Sequence, residues 1–172
     1  MTGSSTLPEP RSPAHIRRAR NWRRVGLTLL VAFVLLGATG SFGPRTGTTS
    51  ATGGGYDVQV TYPVASRPGH ASAYQVQVTR HGGFDGPVHM RFSTDYFNLF
   101  DQSSFDPSPD SVTSTGAYEI CEFSPPPGDT FTVSANSRIK AARQRGEKGE
   151  VSVLDDNGRP VATVRYRTRI FP

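Results

Sequence analysis

The chain has 172 residues, with 19 Lys and Arg against 14 Asp and Glu, and it contains a single cysteine. This length allows one domain with short appendages, and one cysteine excludes an internal disulfide framework or a cage of thiolate metal ligands. The 18 Gly and 14 Pro also argue against an all-helical bundle.

The net charge of +5 comes from the N-terminus. Residues 1–24 hold six arginines and one glutamate, so the other 148 residues carry 13 basic and 13 acidic side chains. The basic character therefore describes a tail, which we predict to be cytoplasmic, and it does not indicate a nucleic-acid-binding domain.

Residues 25–43 follow this tail without a charge. As a helix they would measure about 28 Å, close to the roughly 30 Å hydrocarbon core of a bilayer. We predict a single transmembrane helix that acts as a signal anchor, with the N-terminus cytoplasmic and the C-terminal domain extracytoplasmic at the cell membrane. The alternative is a secretory signal peptide cleaved near Ala38-Thr39-Gly40.

Residues 44–55 are Gly, Thr, Ser and Pro with one charge, which predicts a flexible linker. From Tyr56 onward, apolar and polar residues alternate, as expected for half-buried strands. Asp156-Asn157-Gly158 predicts a tight hairpin, and residues 94–101 fit one helical turn or a bulged strand edge. The predicted strands are 56–62, 74–79, 88–92, 117–123, 130–135, 151–153 and 161–170. Seven strands in 117 residues predict an all-β fold, an Ig-like β-sandwich over residues 56–172.

The run YQVQVTRHGG followed by PVHMRF, and then by Gly116, Tyr118 and PPPGDTFTVSA, resembles bacterial Ig-like domains of cell-surface proteins. Over residues 25–172 the layout resembles uncharacterised small single-pass membrane proteins of actinobacteria. The chain departs from antibody-type domains, because it has no cysteine pair and its single Trp lies in the tail. The resemblance implies a fold and assigns no catalytic residue.

We expect no enzyme and no cofactor, because the sequence has no Gly-x-Ser-x-Gly motif and its histidines lack metal-ligand spacing. Asp95, Asn98 and Asp101 could offer oxygens to calcium, but such residues more often cap turns. Cys121 is interpreted as a small apolar side chain, with an intermolecular disulfide as the alternative.

Two groups of residues are candidates for binding. Arg165, Arg167 and Arg169 alternate, so a strand would place them on one face, as a solvated edge or as a basic stripe for anionic headgroups, a wall polymer or an acidic partner. A second group, Tyr96, Phe97 and Phe100 with Phe105, either closes the core or, if exposed, anchors a protein partner.

These observations predict a non-catalytic binding or accessory module, held at the membrane, that contacts another membrane protein or an anionic polymer of the cell envelope. They do not predict a nucleic-acid partner or fix an oligomeric state. The alternative is a secreted β-sandwich that binds glycan or calcium after cleavage of a signal peptide.

Overall fold

A computed structural model describes residues 13–38, 45–143 and 145–171. The chain divides into two compact units, Met1–Gly43 and Pro44–Pro172. The predicted tail residues 1–12, the end of the predicted apolar segment at residues 39–43 and the alternative cleavage site after Ala38 lie outside the described residues.

The first unit contains one helix, α1, over Pro13–Ala38. Among the described residues, no helix combines the length and the apolar character needed to cross a membrane. The predicted transmembrane helix over residues 25–43 is therefore wrong. Within the described residues, the uncharged run that follows Arg24 in α1 spans Val25 to Ala38, which is about 21 Å of helix against a hydrocarbon core of roughly 30 Å.

The second unit is built almost entirely of strands, with a single helical turn, α2, at Thr94–Phe97. The strands are β1 (Arg45–Gly53), β2 (Tyr56–Ser66), β3 (Ala71–Arg80), β4 (Val88–Ser93), β5 (Phe100–Asp106), β6 (Ser111–Ser114), β7 (Tyr118–Phe123), β8 (Thr130–Ile139), β9 (Lys148–Leu154), β10 (Pro160–Arg167) and β11 (Arg169–Ile170).

The strands form two sheets, as expected for a β-sandwich. Sheet A has the order β1-β2-β3-β8-β5, with the short β11 pairing in parallel with β2. Sheet B has the order β10-β9-β4-β7-β6. All seven predicted strands are present, but the last is divided into β10 and β11. Strands β1, β5 and β6 were not predicted from the sequence, so the predicted number of strands is too low.

The prediction of a flexible linker over residues 44–55 is also wrong. Arg45–Gly53 pairs along its whole length with β2, so it is the edge strand of sheet A. Gly54 and Gly55 form the turn with φ angles of 57° and 81°, a region that favours glycine. A two-residue turn of this kind brings a strand back against its neighbour even when that strand has few apolar side chains.

The core lies between the sheets and follows the period-two pattern of the sequence. In β3 the buried residues Tyr74, Val76 and Val78 alternate with polar neighbours, and β8 repeats this pattern with Phe131 and Val133. Alternation places every second side chain in the core and leaves the outer face of each sheet polar. The two outer faces are therefore the main surfaces on which this unit meets its surroundings.

Candidate anion-binding site

The chain changes sheets at Thr168, between β10 of sheet B and β11 of sheet A. Thr168 is fully buried, and its backbone N–H donates to the carbonyl oxygen of Glu147 at 3.0 Å. Its hydroxyl donates to the carbonyl oxygen of Pro63 at 2.6 Å and lies 2.9 Å from the Tyr96 hydroxyl. Because the Thr168 proton goes to Pro63, the Tyr96 hydroxyl donates to Thr168 Oγ1. This buried residue fixes the path of the chain at the crossing.

The crossing divides the predicted basic stripe. Arg165 and Arg167 are exposed on the outer face of sheet B, whereas Arg169 belongs to β11 and pairs with Ala65 in sheet A. The expectation that one strand presents all three guanidinium groups on one face is therefore wrong. The alternation itself holds, because Tyr166 and Ile170 are buried.

Arg165 already has a partner. Its Nε donates to Glu150 Oε2 at 2.8 Å, and Arg91 donates to Glu150 Oε1 at 2.9 Å. The Arg91 guanidinium also lies 4.2 Å from the centre of the Tyr118 ring. Glu150 is 18% exposed and thus carries two cations on the outer face of sheet B. The Nε of Arg165 is therefore engaged within the fold, although the three side chains Arg91, Glu150 and Arg165 together keep a net charge of +1.

Arg167 has a different neighbour. It lies directly opposite Lys148 in the register of β9 and β10, and both side chains are exposed. Like charges in opposite positions of an antiparallel pair repel each other. Among the described residues, no carboxylate forms an ion pair with Lys148, Arg167 or Arg169. We name these three residues the basic corner.

Two glycines allow the chain to pack closely behind the basic corner. A Cβ at Gly146 would overlap the carbonyl oxygen of Thr168, and a Cβ at Gly149 would overlap the ring of Tyr166. Gly149 is the direct partner of Tyr166 in the register of β9 and β10. These close approaches hold the start of β9 against the crossing and so position Lys148 beside Arg167.

The aromatic candidates lie in the core. Tyr96 is fully buried, Phe97 is 7% exposed and Phe100 is 3% exposed, so none of them is available as an anchor for a protein partner. The Tyr96 ring packs edge to face against the rings of Phe97 and Phe100, with the Tyr96 and Phe97 centroids 5.8 Å apart. Burial raises the pKa of the Tyr96 hydroxyl well above its ordinary value, against the opposing effect of its hydrogen bond with Thr168. The structure therefore supports the interpretation that these aromatic residues close the core.

Cys121 is fully buried in β7, opposite Met90 of β4. Burial and the nearby charge of Glu119 raise the pKa of its thiol to about 11. The interpretation as an apolar core side chain is therefore confirmed, and the sulfur does not face a second chain.

The calcium candidates do not converge within the described residues. Asp95 lies in α2 and Asp101 in β5, and no group of three or more Asp, Glu, His or Cys side chains in this part of the chain is arranged to hold a metal ion. Asp110 instead accepts a hydrogen bond from the Ser124 hydroxyl at 2.6 Å. The aspartates whose contacts are described serve turns and strand ends.

Two residues of the site, Lys148 and Thr168, were not predicted from the sequence. Lys148 is nineteen residues from Arg167 in the sequence, and only the hairpin register brings them together. The chain matches no family model, and a search of curated proteins finds no significant match.

Proposed function

We propose that the second unit is a non-catalytic binding module whose basic corner contacts an anionic polymer of the cell envelope. The observation that carries the proposal is the pair Lys148 and Arg167, two exposed cations in opposite register positions without a carboxylate partner among the described residues. Arg169 adds a third cation across the crossing.

The repulsion within this pair supports an anionic ligand. A like-charge pair at opposite positions costs a few tenths of a kcal/mol to about 1 kcal/mol. A phosphate or carboxylate between the two side chains would replace the repulsion with two charge-assisted hydrogen bonds, which are stronger than neutral ones. The buried Thr168 and the two close glycines hold the backbone in place, so binding orders the side chains of the basic corner but not its backbone.

A polymer fits this surface better than a small anion. The three cations lie on three strands of two sheets and point to solvent, and a single exposed contact of this kind is weak. A chain of repeated anionic groups engages several contacts at once and gains affinity through effective concentration. We therefore propose an envelope polymer that bears phosphate or carboxylate groups, and a location in the cell envelope outside the cytoplasm.

A non-catalytic role agrees with where the perturbed groups lie. The groups with clearly raised pKa values among the described residues are Cys121 and three tyrosines of the core, Tyr74, Tyr96 and Tyr166. Catalytic groups with shifted pKa values usually lie in clefts that a substrate can enter. Burial between the sheets explains these shifts without a reaction.

We also propose that the sandwich is of the Ig-like type. The order β2-β3-β8-β5 opposite β10-β9-β4-β7-β6 corresponds to a four-stranded sheet facing a three-stranded sheet that is extended by two strands. The chain departs from the variable-type pattern, because β5 joins sheet A before β6 and β7 join sheet B, and because β1 is additional.

Binding of the full chain to immobilised polyphosphate and to immobilised poly-glutamate tests the proposal. We expect the double substitution Arg167→Gln with Arg169→Gln to weaken binding about tenfold, or about 1.4 kcal/mol. The matched control is Arg165→Gln, which removes a neighbouring cation whose Nε is already engaged by Glu150, and for which we expect a smaller loss. The two probes distinguish phosphate from carboxylate recognition. Equal losses in the double variant and the control, or no binding to either polymer, would overturn the proposal.

A second variant separates binding from folding. Lys148→Gln removes the repulsion with Arg167, so we expect it to leave the melting temperature unchanged or to raise it slightly, and to weaken polymer binding. A loss of binding that accompanies a loss of stability would indicate a structural role for Lys148 instead. Protease accessibility on intact cells tests the proposed location.

A further inference from the structure

The helix α1 of the first unit carries large apolar side chains that are exposed. Eight of them have between 51% and 76% of their surface exposed. They are Trp22, Val25, Leu27, Leu29, Leu30, Val31, Val34 and Leu35. A contiguous apolar surface of this kind is rare on a soluble monomer, and it marks a contact with a partner or with a membrane.

These side chains surround the helix. Successive residues of an α-helix are about 100° apart around its axis, so Leu29, Leu30 and Val31 point in three different directions. Val25 and Leu29 lie on one side of α1, and Leu27 and Val31 lie on the opposite side. A protein groove or a partner helix covers one stripe of a helix, whereas a helix that is apolar on all sides needs an apolar environment around it. Lipid chains provide such an environment.

The uncharged run of α1 also contains no side-chain group that requires water. Thr28 is the only residue with a polar side chain between Val25 and Ala38. Its hydroxyl donates to the backbone carbonyl oxygen of Arg24 at 3.0 Å. A threonine hydroxyl that bonds back to the preceding turn is satisfied within the helix itself. The run therefore meets the condition for burial in hydrocarbon, where an unsatisfied polar group is costly.

Positive charge lies at the N-terminal end of this run. Arg23 and Arg24 directly precede Val25 and are exposed, and in the part of the chain that the structure describes neither forms an ion pair. Three further arginines and no acidic residue belong to the sequence of α1. Basic residues beside an apolar segment are attracted to anionic lipid headgroups. Trp22 adds the ring type that is enriched at the interface between membrane and water.

We infer that α1 inserts its apolar run into one leaflet of a lipid bilayer with an anionic surface, with Trp22, Arg23 and Arg24 at the level of the headgroups. The run of about 21 Å is too short to cross the hydrocarbon core, but it exceeds the roughly 15 Å of one leaflet. This contact is separate from the basic corner and does not rest on the function proposed above. It attaches the chain to a membrane surface.

Binding of the full chain to lipid vesicles tests this inference. The vesicles contain phosphatidylcholine alone or phosphatidylcholine with phosphatidylglycerol. Trp22 is the only tryptophan of the chain, so its fluorescence reports on α1 alone. With the anionic vesicles we expect a blue shift of the emission and quenching by lipids that are brominated in the upper part of the acyl chain. An unchanged spectrum with both kinds of vesicle would overturn the inference.

A pair of double substitutions tests the role of charge. We expect Arg23→Gln with Arg24→Gln to raise the dissociation constant for the anionic vesicles about tenfold. The matched control is Arg167→Gln with Arg169→Gln, which removes the same charge from the basic corner and is expected to leave vesicle binding nearly unchanged. Equal losses in the two variants would show that vesicle binding depends on total charge and not on the position of the arginines beside α1, which contradicts the inference.

Two further double substitutions test whether lipid surrounds the helix. Val25→Ser with Leu29→Ser and Leu27→Ser with Val31→Ser each remove one valine and one leucine, from opposite sides of α1. Because lipid contacts every side, we expect both variants to bind vesicles at least about tenfold more weakly, with an unchanged melting temperature of the second unit. A loss in only one variant would indicate a partner that covers one stripe. Sedimentation equilibrium without vesicles checks a second copy as that partner, since an oligomer that one variant alone dissociates would assign α1 to self-association instead.

Discussion

The hydroxyl of Tyr74 in β3 lies 2.6 Å from the hydroxyl of Tyr166 in β10, and this buried hydrogen bond joins sheet A to sheet B. Both rings belong to one aromatic cluster, with their centroids 5.7 Å apart. Burial raises the pKa of both hydroxyls well above the ordinary tyrosine value, so both stay protonated at neutral pH. A polar contact in the core of a sandwich fixes which residues of the two sheets meet.

This contact predicts a non-additive pair of substitutions. Tyr74→Phe leaves the Tyr166 hydroxyl buried without a partner, so we expect the free energy of unfolding to fall by about 1–3 kcal/mol. The double variant Tyr74→Phe with Tyr166→Phe removes both polar groups and is expected to lose less than the sum of the single variants. Urea denaturation of the four proteins measures the coupling. Additive losses would show that the hydrogen bond does not join the sheets.

Substitution of Thr168 should affect both stability and the basic corner. Thr168→Val keeps the shape of the side chain but leaves the carbonyl of Pro63 and the hydroxyl of Tyr96 without their partner. We expect a loss of about 2–3 kcal/mol in the free energy of unfolding. Thr113→Val, at an exposed position, is the control and is expected to change stability by about 0.5 kcal/mol or less.

A second readout for Thr168→Val is polyphosphate binding at a temperature where the variant is folded. We expect weaker binding, because the crossing sets the positions of Arg167 and Arg169. Unchanged binding by the folded variant would show that these arginines do not depend on the buried hydroxyl.

The two arginines that contact Glu150 should differ in their importance for stability. Arg91 is 22% exposed and lies against the Tyr118 ring, whereas Arg165 is 79% exposed. We expect Arg91→Gln to cost about 2–3 kcal/mol, because it leaves the largely buried carboxylate of Glu150 with only the exposed Arg165 and removes the contact with the Tyr118 ring. Arg165→Gln should cost about 0.5 kcal/mol or less, since exposed pairs contribute little. Thermal unfolding compares them, and equal losses would contradict this ranking.

Stability should fall in alkaline solution, beginning with Cys121. Its pKa is raised to about 11 in the folded chain, so above pH about 8.5 the unfolded thiol releases its proton first. The folded state then binds more protons than the unfolded state, and the free energy of unfolding decreases as pH rises, by up to about 1.4 kcal/mol per pH unit. The buried tyrosines add to this decrease above pH about 10.

Denaturation curves between pH 7.5 and 10 measure this slope. We expect Cys121→Ala to flatten it within that interval, although the small cavity lowers the stability at every pH. An unchanged slope in this variant would assign the alkaline loss to another group.

Some elements of the fold could be read from local patterns. Val58 and Val60 in β2, and Val76 and Val78 in β3, alternate with polar residues, and this alternation sufficed to place strands and core. The hairpin at Asp156-Asn157-Gly158 was also predictable. Asp155 accepts hydrogen bonds from the N–H groups of Asn157 and Arg159 within the turn itself.

Other features required the tertiary structure. Arg45–Gly53 has the composition of a linker, and its strand exists because the backbone of β2 is available to pair with it. Hydrogen bonds to a neighbouring backbone do not depend on side-chain hydrophobicity, so no hydrophobic pattern in this segment predicts them. The finding that no helix among the described residues is long and apolar enough to cross a membrane likewise overturned an expectation that rested on the hydropathy of residues 25–43.

The features of the candidate sites also divide into those that the sequence predicts and those that required the tertiary structure. The sequence by itself determined that Arg165, Arg167 and Arg169 alternate with buried residues and that the strands of sheet A present polar faces, because alternation is a local property of an extended chain. Only the tertiary structure decided that Arg165 meets Glu150, that Arg167 faces Lys148 and that Arg169 joins the other sheet. The physical reason is that these three placements depend on contacts between strands. The pairing register and the change of sheet at Thr168 bring together residues that are distant in the chain.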